Sequence, residues 1–355
     1  MKRIGYIYEK IIERQNLMDA TLALSKTKKS KRSREILKKN AVQIVDELLQ
    51  NPHPDGKYKT FKHREGQKVR QIFEPSLRDQ ILAKAIVNVL IPLIRKKEYF
   101  HSYAAMKGKG PLLARNAVER YVRKKGARWF CKLDIVHCFP SFPLHLVLET
   151  YDHLFKDKKA RDLIIEDMKS YTNFIGTENG LALGQNTSQE WSNLVLTYAC
   201  YKAKQEIGVL GLVEYLDDFV LIGKSKKELT AKRDAFKALL RSWGFQLHDE
   251  RDAVRPIQYI DKKGRKRGEA IDFCGYRIYR GFSTIRRFLY KKIRRCILRM
   301  KSKEPNATRA KRFLSYLGSL IHSASSKVMT LYGVTEEFIQ MAKQIMKGEI
   351  KPCSC

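Results

Sequence analysis

"GLVEYLDDFVLIG", residues 211–223, sets Asp217 and Asp218 side by side between two runs of β-forming residues. Apolar and aromatic residues on both sides predict a hairpin with the two acids at its tip. Neighbouring residues of a strand face opposite sides, so these carboxylates share one neighbourhood only at a turn. Bare carboxylates against apolar walls repel each other and are costly to desolvate unless a cation compensates them. A solvated turn is the plainer reading of such a pair. The charge of the chain sharpens the contrast: Lys plus Arg number 71 against 37 Asp plus Glu, a formal net charge of +34.

At 355 residues the chain exceeds the usual single domain, which predicts a composite of two or three subdomains with ample core. A hydrophobic share of 43%, with 16 Phe, 17 Tyr and 3 Trp, marks it as globular. The basic excess predicts a polyanionic partner, because neutralising phosphates releases counterions. Nucleic acid comes first; an anionic membrane and a merely solvated basic surface are the alternatives. No stretch approaches the roughly 18 consecutive apolar residues of a membrane span, and "MKRIGYIYEKIIERQ" lacks a signal-peptide core, so the expectation is a cytoplasmic protein without membrane attachment. Cysteines at 131, 138, 200, 274, 296, 353 and 355 form no CxxC pair, which suits reduced thiols; Cys353 and Cys355 have no His or Cys cluster to join as a metal site.

Along the chain, residues 7–50 predict two helical stretches around the basic run "KTKKSKRSR" (26–34), read as a loop or a phosphate-gripping arm. "NPHPDG" (51–56) breaks the chain, and "KYKTFKHREGQKVRQIFEP" predicts two strands joined by a Glu65-Gly66 turn. "LRDQILAKAIVNVLIPLIRKK" repeats apolar pairs every four residues, an amphipathic helix. "ARWFCKLDIVHCFPSF" (127–142) is an apolar strand ending at a lone carboxylate, Asp134. Helices are expected at 144–155 and 158–171, then a Gly-rich loop feeding a helix in "NGLALGQNTSQEWSNLVLTYACYKA", a helix at 226–244 and short strands including "IDFCGYRIYR" (271–280). From 285 to about 347 the chain is basic and helical, interrupted at Pro305 and Gly333.

Asp134 adds a third acid at the end of another strand, which would complete a hard-oxygen site for Mg²⁺. Two such ions, about 3.5–4 Å apart, can activate a 3′-hydroxyl and stabilise a pyrophosphate leaving group. "YLDD" together with "CKLDIVHCFPSF" resembles the palm of reverse transcriptases. The resemblance extends through "KVRQIFEPSLRDQILAKAI", similar to the fingers, "GFQLHDERD", similar to the segment after the catalytic hairpin, and "FCGYRI", similar to the primer-grip hairpin; it covers about residues 57–325. It implies an α+β right-hand polymerase: a basic helical extension at 1–56, fingers with part of the palm at 57–126, a palm of antiparallel sheet and helices at 127–284, and a small helical thumb and tail at 285–355.

The resemblance implies a role for each matching residue. Asp134 and Asp217 would ligate both Mg²⁺ ions, with Mn²⁺ able to substitute; Asp218 would be a weaker or outer ligand and the Ile135 carbonyl a further one. Phe139 lies where the family keeps the aromatic that excludes a 2′-hydroxyl, with ordinary core as the alternative. Lys68 and Arg70 fall where the fingers bind the triphosphate, with a solvated strand edge as the alternative, and Tyr215 joins this nucleotide-binding set. Met106 stands where related bacterial enzymes often carry Arg, which leaves Lys107 or Lys109 to substitute.

"LALGQNTSQ" (181–189) narrows the resemblance. Group II intron and retroviral enzymes typically read Gln-Gly-x-x-x-Ser-Pro there, whereas Leu183-Gly184 and Ser188-Gln189 look like the reverse transcriptases of diversity-generating retroelements, which copy a template-repeat RNA with errors at adenines. Gln189 can donate and accept hydrogen bonds where proline only stiffens the backbone, so this loop is expected to handle the template and set fidelity; a glutamine with no fidelity role is the alternative. The missing Val-Thr-Gly signature sets the retron subfamily aside, and the short stretch after 347 gives the expectation of no RNase H, maturase or endonuclease segment. The implied partners are a template RNA, a DNA or RNA primer, deoxynucleoside triphosphates and a small basic accessory variability determinant protein. Two rivals stand beside this reading: a group II intron-like or phage-defence reverse transcriptase, and a silent palm that only binds nucleic acid. Three uncompensated acids in a basic groove are expected to speak against silence.

Overall fold

The computed structural model describes residues 4–28, 30–65, 68–302, 306–325 and 327–349. Among the described residues four helices, not two, open the chain: α1 (Tyr8–Ile11), α2 (Arg14–Thr27), α3 (Lys31–Lys39) and α4 (Ala41–Gln50). The basic run at 26–34 is therefore largely helical. Lysine and arginine are good helix formers, Ser30 caps α3 by accepting from the Ser33 amide at 3.4 Å, and Leu37 supplies its buried anchor.

β1 (Tyr58–Glu65) and β2 (Lys68–Pro75) form the expected antiparallel hairpin, in register from Tyr58 opposite Pro75 to Glu65 opposite Lys68; Gly66 of its expected turn lies outside the described residues. α5 (Leu77–Ile94) starts at Ser76, whose hydroxyl accepts from the Asp79 amide, and buries the apolar pairs 81/82 and 85/86. α6 (Pro111–Arg123) was not anticipated, although Pro111 at its first position is a start signal.

β3 (Trp129–Asp134) is followed by α7 (Leu144–Leu154), α8 (Lys158–Ile175), α9 (Asn186–Gln205), β4 (Gly211–Tyr215), β5 (Asp218–Gly223), α10 (Lys226–Ser242) and β6 (Arg255–Pro256). The central sheet has the order β4-β5-β3-β6, antiparallel throughout. A Cβ on Gly211 would lie 2.7 Å from Tyr121 Cδ1 of α6, and one on Gly223 would lie 2.9 Å from Leu229 Cβ of α10, so these glycines let helices press onto the sheet.

One core cluster joins α1–α5 and α7–α10 to the sheet face carrying Cys131, Leu133, Phe219 and Leu221. The other face, with Phe130, Val213, Val220 and Ile222, packs with α6 and the C-terminal elements. These are β9 (Ile271–Phe273), β10 (Tyr276–Ile278), β11 (Ser283–Ile285), α11 (Arg287–Ser302), α12 (Ala307–Ile321), α13 (Lys327–Leu331) and α14 (Glu336–Lys347), while the short strands β7 (Tyr259–Ile260) and β8 (Lys266–Arg267) pair with each other in an exposed hairpin. The α+β class is as expected. No helix among the described residues is long and apolar enough to cross a membrane.

Candidate active site

Strand register assembles the acids. Asp134, the last residue of β3, lies directly opposite Asp218, the first of β5, and Asp218 lies opposite Tyr215, the last of β4. Residues directly opposite in an antiparallel ladder project from the same face, so Tyr215, Asp218 and Asp134 form one row across three strands. Leu216 and Asp217 make the two-residue connection. Leu216 has φ of 57°, the left-handed region that two-residue hairpin turns require and leucine rarely adopts. The Ile135 amide donates to the Asp217 carbonyl at 3.1 Å, which ties the turn to the end of β3. The expected two-carboxylate tip is thus one turn residue and one strand residue.

Two cations compensate these acids, against the expectation that they would stand alone. Lys132, two residues before Asp134 and so on the same face, places Nζ 3.0 Å from Asp218 Oδ1 and donates to Oδ2 at 3.1 Å. Arg251 Nη1 donates to Asp134 Oδ2 at 3.1 Å. It arrives there because the Val136 amide donates to the Gln246 carbonyl at 2.8 Å and the His248 amide to the Asp134 carbonyl at 3.0 Å, laying residues 246–251 along the end of β3. Burial pushes the Asp218 carboxyl up to about 6; Lys132 pulls it down, and Asp134 and Asp217 push it up.

Three carboxylates are the hard-oxygen chemistry a divalent cation takes. Asp218 Oδ1, buried and in an ion pair without hydrogen-bond geometry, keeps an unused acceptor that such a cation would satisfy. The donors therefore fit a divalent ion in kind. Among the described residues, no three His, Cys, Asp or Glu side chains are drawn together at metal-ligand spacing; Lys132 and Arg251 pair with two of the acids.

A cleft of about 550 Å³ opens beside Asp217 and gathers Arg70, Phe139, Leu183, Gly184 and Gln189. Lys84 of α5 and Asn186 at the start of α9 line it too, and the sequence reading missed both. Ser188 is buried in α9, Tyr215 packs into the cluster shared with α6, and the Lys68 side chain lies outside the described residues. Lys109 does not take the place of the missing arginine: its Nζ donates to the Phe100 and Ser102 carbonyls at 2.9 and 2.7 Å, inside its own loop. Cys274 lies at the turn between β9 and β10, where burial and then Asp218 raise its thiol, so "FCGYRI" reaches the row of acids.

The loop at 180–189 is fastened from both sides. The Phe73 amide of β2 donates to the Leu183 carbonyl at 2.9 Å, and a Cβ on Gly184, whose φ is +123°, would lie 2.8 Å from the Phe73 carbonyl oxygen. From below, Asp167 of α8, fully buried, accepts from Gln185 Nε2 and from Thr187 Oγ1, each at 2.7 Å. Gln185 Oε1 in turn accepts from the Tyr58 hydroxyl at 3.4 Å. Burial pushes the Asp167 carboxyl up to about 7, with Thr187 and Gln185 pulling it down.

Residues 61–260 match the model of the reverse transcriptase (RNA-dependent DNA polymerase) family. That stretch is more than half the chain and contains the acids, their cations and the cleft. The chain belongs to the reverse transcriptase family. Its sheet and helices are accordingly the right-hand polymerase fold of that family. No curated protein matches the sequence. Among solved structures, this reverse transcriptase chain is similar to the telomerase of Candida albicans solved in complex with a TWJ fragment of telomeric RNA. The two are 14% identical with a TM-score of 0.48; the match covers 82% of this chain and 56% of that one.

Proposed function

We propose that the chain is an RNA-directed DNA polymerase that copies a template-repeat RNA into cDNA, with errors concentrated at template adenines, for a diversity-generating retroelement. The observation that carries the polymerase reading is the row of Asp134 and Asp218 with Asp217 at the adjoining turn, opening onto a cleft with Arg70 and Phe139. Asp134 and Asp217 would hold two Mg²⁺ ions, with Asp218 as an outer ligand and the Ile135 carbonyl as a further one. When bound, these ions supply activation of the primer 3′-hydroxyl and neutralisation of the departing pyrophosphate.

The chain's own residues orient the substrates. Arg70 offers the triphosphate a planar fork of donors. Phe139, half-buried on the wall of the cleft, suits exclusion of a 2′-hydroxyl. The finer assignment to a diversity-generating retroelement rests on Leu183-Gly184 and Ser188-Gln189, and is supported by the position of Gly184 and Gln189 on the nucleotide cleft. The accessory variability determinant protein and the structured template RNA belong to the same proposal.

The test is primer extension on a mixed-sequence RNA with Mg²⁺, with Asp217→Ala as control and the cDNA sequenced. Errors clustered at template adenines and absent with the variant support the reading; accurate cDNA favours an intron-like enzyme. A second reading is favoured by the ion pairs from Lys132 and Arg251, since acids already compensated can persist in a palm that only binds nucleic acid. Such a protein holds RNA equally well in chelator and gives no product even with cognate RNA and accessory protein.

A further inference from the structure

The end of β3 remote from Asp134 carries a second cleft. Trp129 and Asp134 are the first and last residues of the strand, so about 16 Å of β3 separates them at roughly 3.3 Å per residue. The cleft encloses about 580 Å³ between β3, β6, β7 and the chain after β10, and its walls are Arg128, Trp129, Tyr259 and Arg280 over a floor of Pro256 and Ile257. Among the described residues, no carboxylate lines it. Glu269, whose amide bonds to the Pro256 carbonyl nearby, has its carboxylate taken by Arg255 at 2.9 Å.

The floor is firm. The Arg128 amide donates to the Gly223 carbonyl at 3.0 Å, the Ile257 amide donates to the Arg128 carbonyl at 2.8 Å, and the Arg280 guanidinium is pinned to the Ala127 carbonyl. The side chains facing the opening are less committed: Tyr259 is 49% exposed on a two-residue strand, Trp129 is half-buried, and Arg128 is exposed. Gly126, Ala127 and Arg128, the end of the basic run "RKKGAR" (123–128), line the cleft, and Lys224 lies alongside Gly126. Aromatic faces among guanidinium groups, with Lys224 beside Gly126 and no acid among the described lining residues, recognise a ligand that is flat and apolar at one end and anionic at the other. That is a nucleotide unit whose base has no pairing partner.

We propose that this cleft binds one or two unpaired nucleotides of a single-stranded nucleic acid, the base stacking on Trp129 or Tyr259 and the phosphate meeting Arg128 and Arg280. It is a second nucleic-acid site on the far end of the palm sheet from the carboxylates, and its occupancy does not require polymerisation. Its chemistry accepts RNA and DNA alike, so both strands belong in the test.

The experiment uses the full chain in chelator, with the polymerase cleft filled by an excess of pre-annealed primer–template duplex. A fluorescent, unstructured ten-nucleotide RNA and the same sequence in DNA are titrated by anisotropy. Tyr259→Ala and Arg128→Ala should each weaken binding by roughly tenfold, the scale of one lost stacked base or phosphate contact. Extension of a short pre-annealed duplex should be unchanged in both. Bound oligonucleotide should also quench tryptophan fluorescence in the parent chain and not in Trp129→Phe. Equal affinity of the parent and both variants, or equal displacement by a polyglutamate of matching charge, would overturn the proposal. A parent chain that binds RNA through Tyr259 but extends no primer would leave this site standing and remove the polymerase reading.

Discussion

Asp218 at the hairpin, partly buried, and Asp167 beneath the 180–189 segment, fully buried, are both carboxyls raised by burial, the first up to about 6 and the second up to about 7. Their partners differ. Asp218 has one cation, Lys132, and two like charges, Asp134 and Asp217, in its surroundings. Asp167 has two neutral donors, Gln185 and Thr187, one on each oxygen. The row at the hairpin is thus assembled with mutual repulsion that a bound cation would relieve, whereas Asp167 is already satisfied and fixes a loop. The same shift marks a candidate for chemistry in one case and a structural rivet in the other, and only the neighbours tell them apart.

The sharpest way to break this comparison is to remove the acids one at a time. Asp217→Ala and Asp134→Ala should each lower primer extension by about 10³-fold or more, on the scale of losing one group that stabilises charge in the transition state. Thermal stability should change little, because the repulsion each change relieves at the hairpin is set, for Asp134→Ala, against the partly exposed ion pair lost with Arg251. An Asp217→Ala protein that unfolds cooperatively well below the parent would make the hairpin acids structural and erase the contrast.

Asp167→Ala should do the reverse. Gln185 and Thr187, both buried, would each lose an acceptor, costing about 2–4 kcal/mol in all. The urea midpoint should drop with an unchanged slope, and the folded fraction should still extend primers. A variant with the parent's midpoint would show that the loop is held from β2 alone.

A subtler test uses Asp167→Asn. In the folded chain the Asp167 carboxyl is raised above its unfolded value near 4, so the native state holds the extra proton between about pH 4 and 7. The stability this contributes is fully present below pH 4, is lost as pH rises through 7, and stays lost above. Subtracting the Asn variant's urea stability from the parent's should therefore give a difference that falls across that window and then flattens. Glu190 and Glu214, which burial also pushes up to about 7 and about 8, remain in both chains and cancel. A flat difference from pH 4 to 8 would mean that Asp167 is ionised throughout.

Much of this was legible in the sequence because it is local. The hairpin at 211–223, the strand ending at Asp134 and the helix after the Gly-rich loop follow from periodicity and turn chemistry. Lys132 was legible too, since a residue two before an acid on a strand shares its face, yet it was passed over. Arg251 was not, because its reach to Asp134 depends on residues 246–251 folding back along β3. Asp167 reads as one more polar residue on an amphipathic helix; only the packing of α8 under the loop makes it a partner of Gln185 and Thr187. Lys109 misled for the opposite reason, since a lysine near a gap in a motif gives no sign that its own loop carbonyls will capture it.

The smallest expected effect lies on the loop itself. Gln189 stands exposed at the fourth position of α9, on the cleft with Gly184, while Ser188 beside it is buried. A side chain there can donate and accept toward a template base or an incoming nucleotide, and proline can do neither. Gln189→Pro should leave the turnover of correct nucleotides within a few-fold of the parent and reduce misincorporation at template adenines, with errors at other bases little changed. Sequencing cDNA made by both chains on one template measures this directly. An unchanged adenine error rate would move the origin of infidelity off Gln189 and onto the loop's backbone, where Gly184→Ala probes it next. A Cβ 2.8 Å from the Phe73 carbonyl forces that loop away from β2, and the expected sign is a raised KM for nucleotides with kcat less affected.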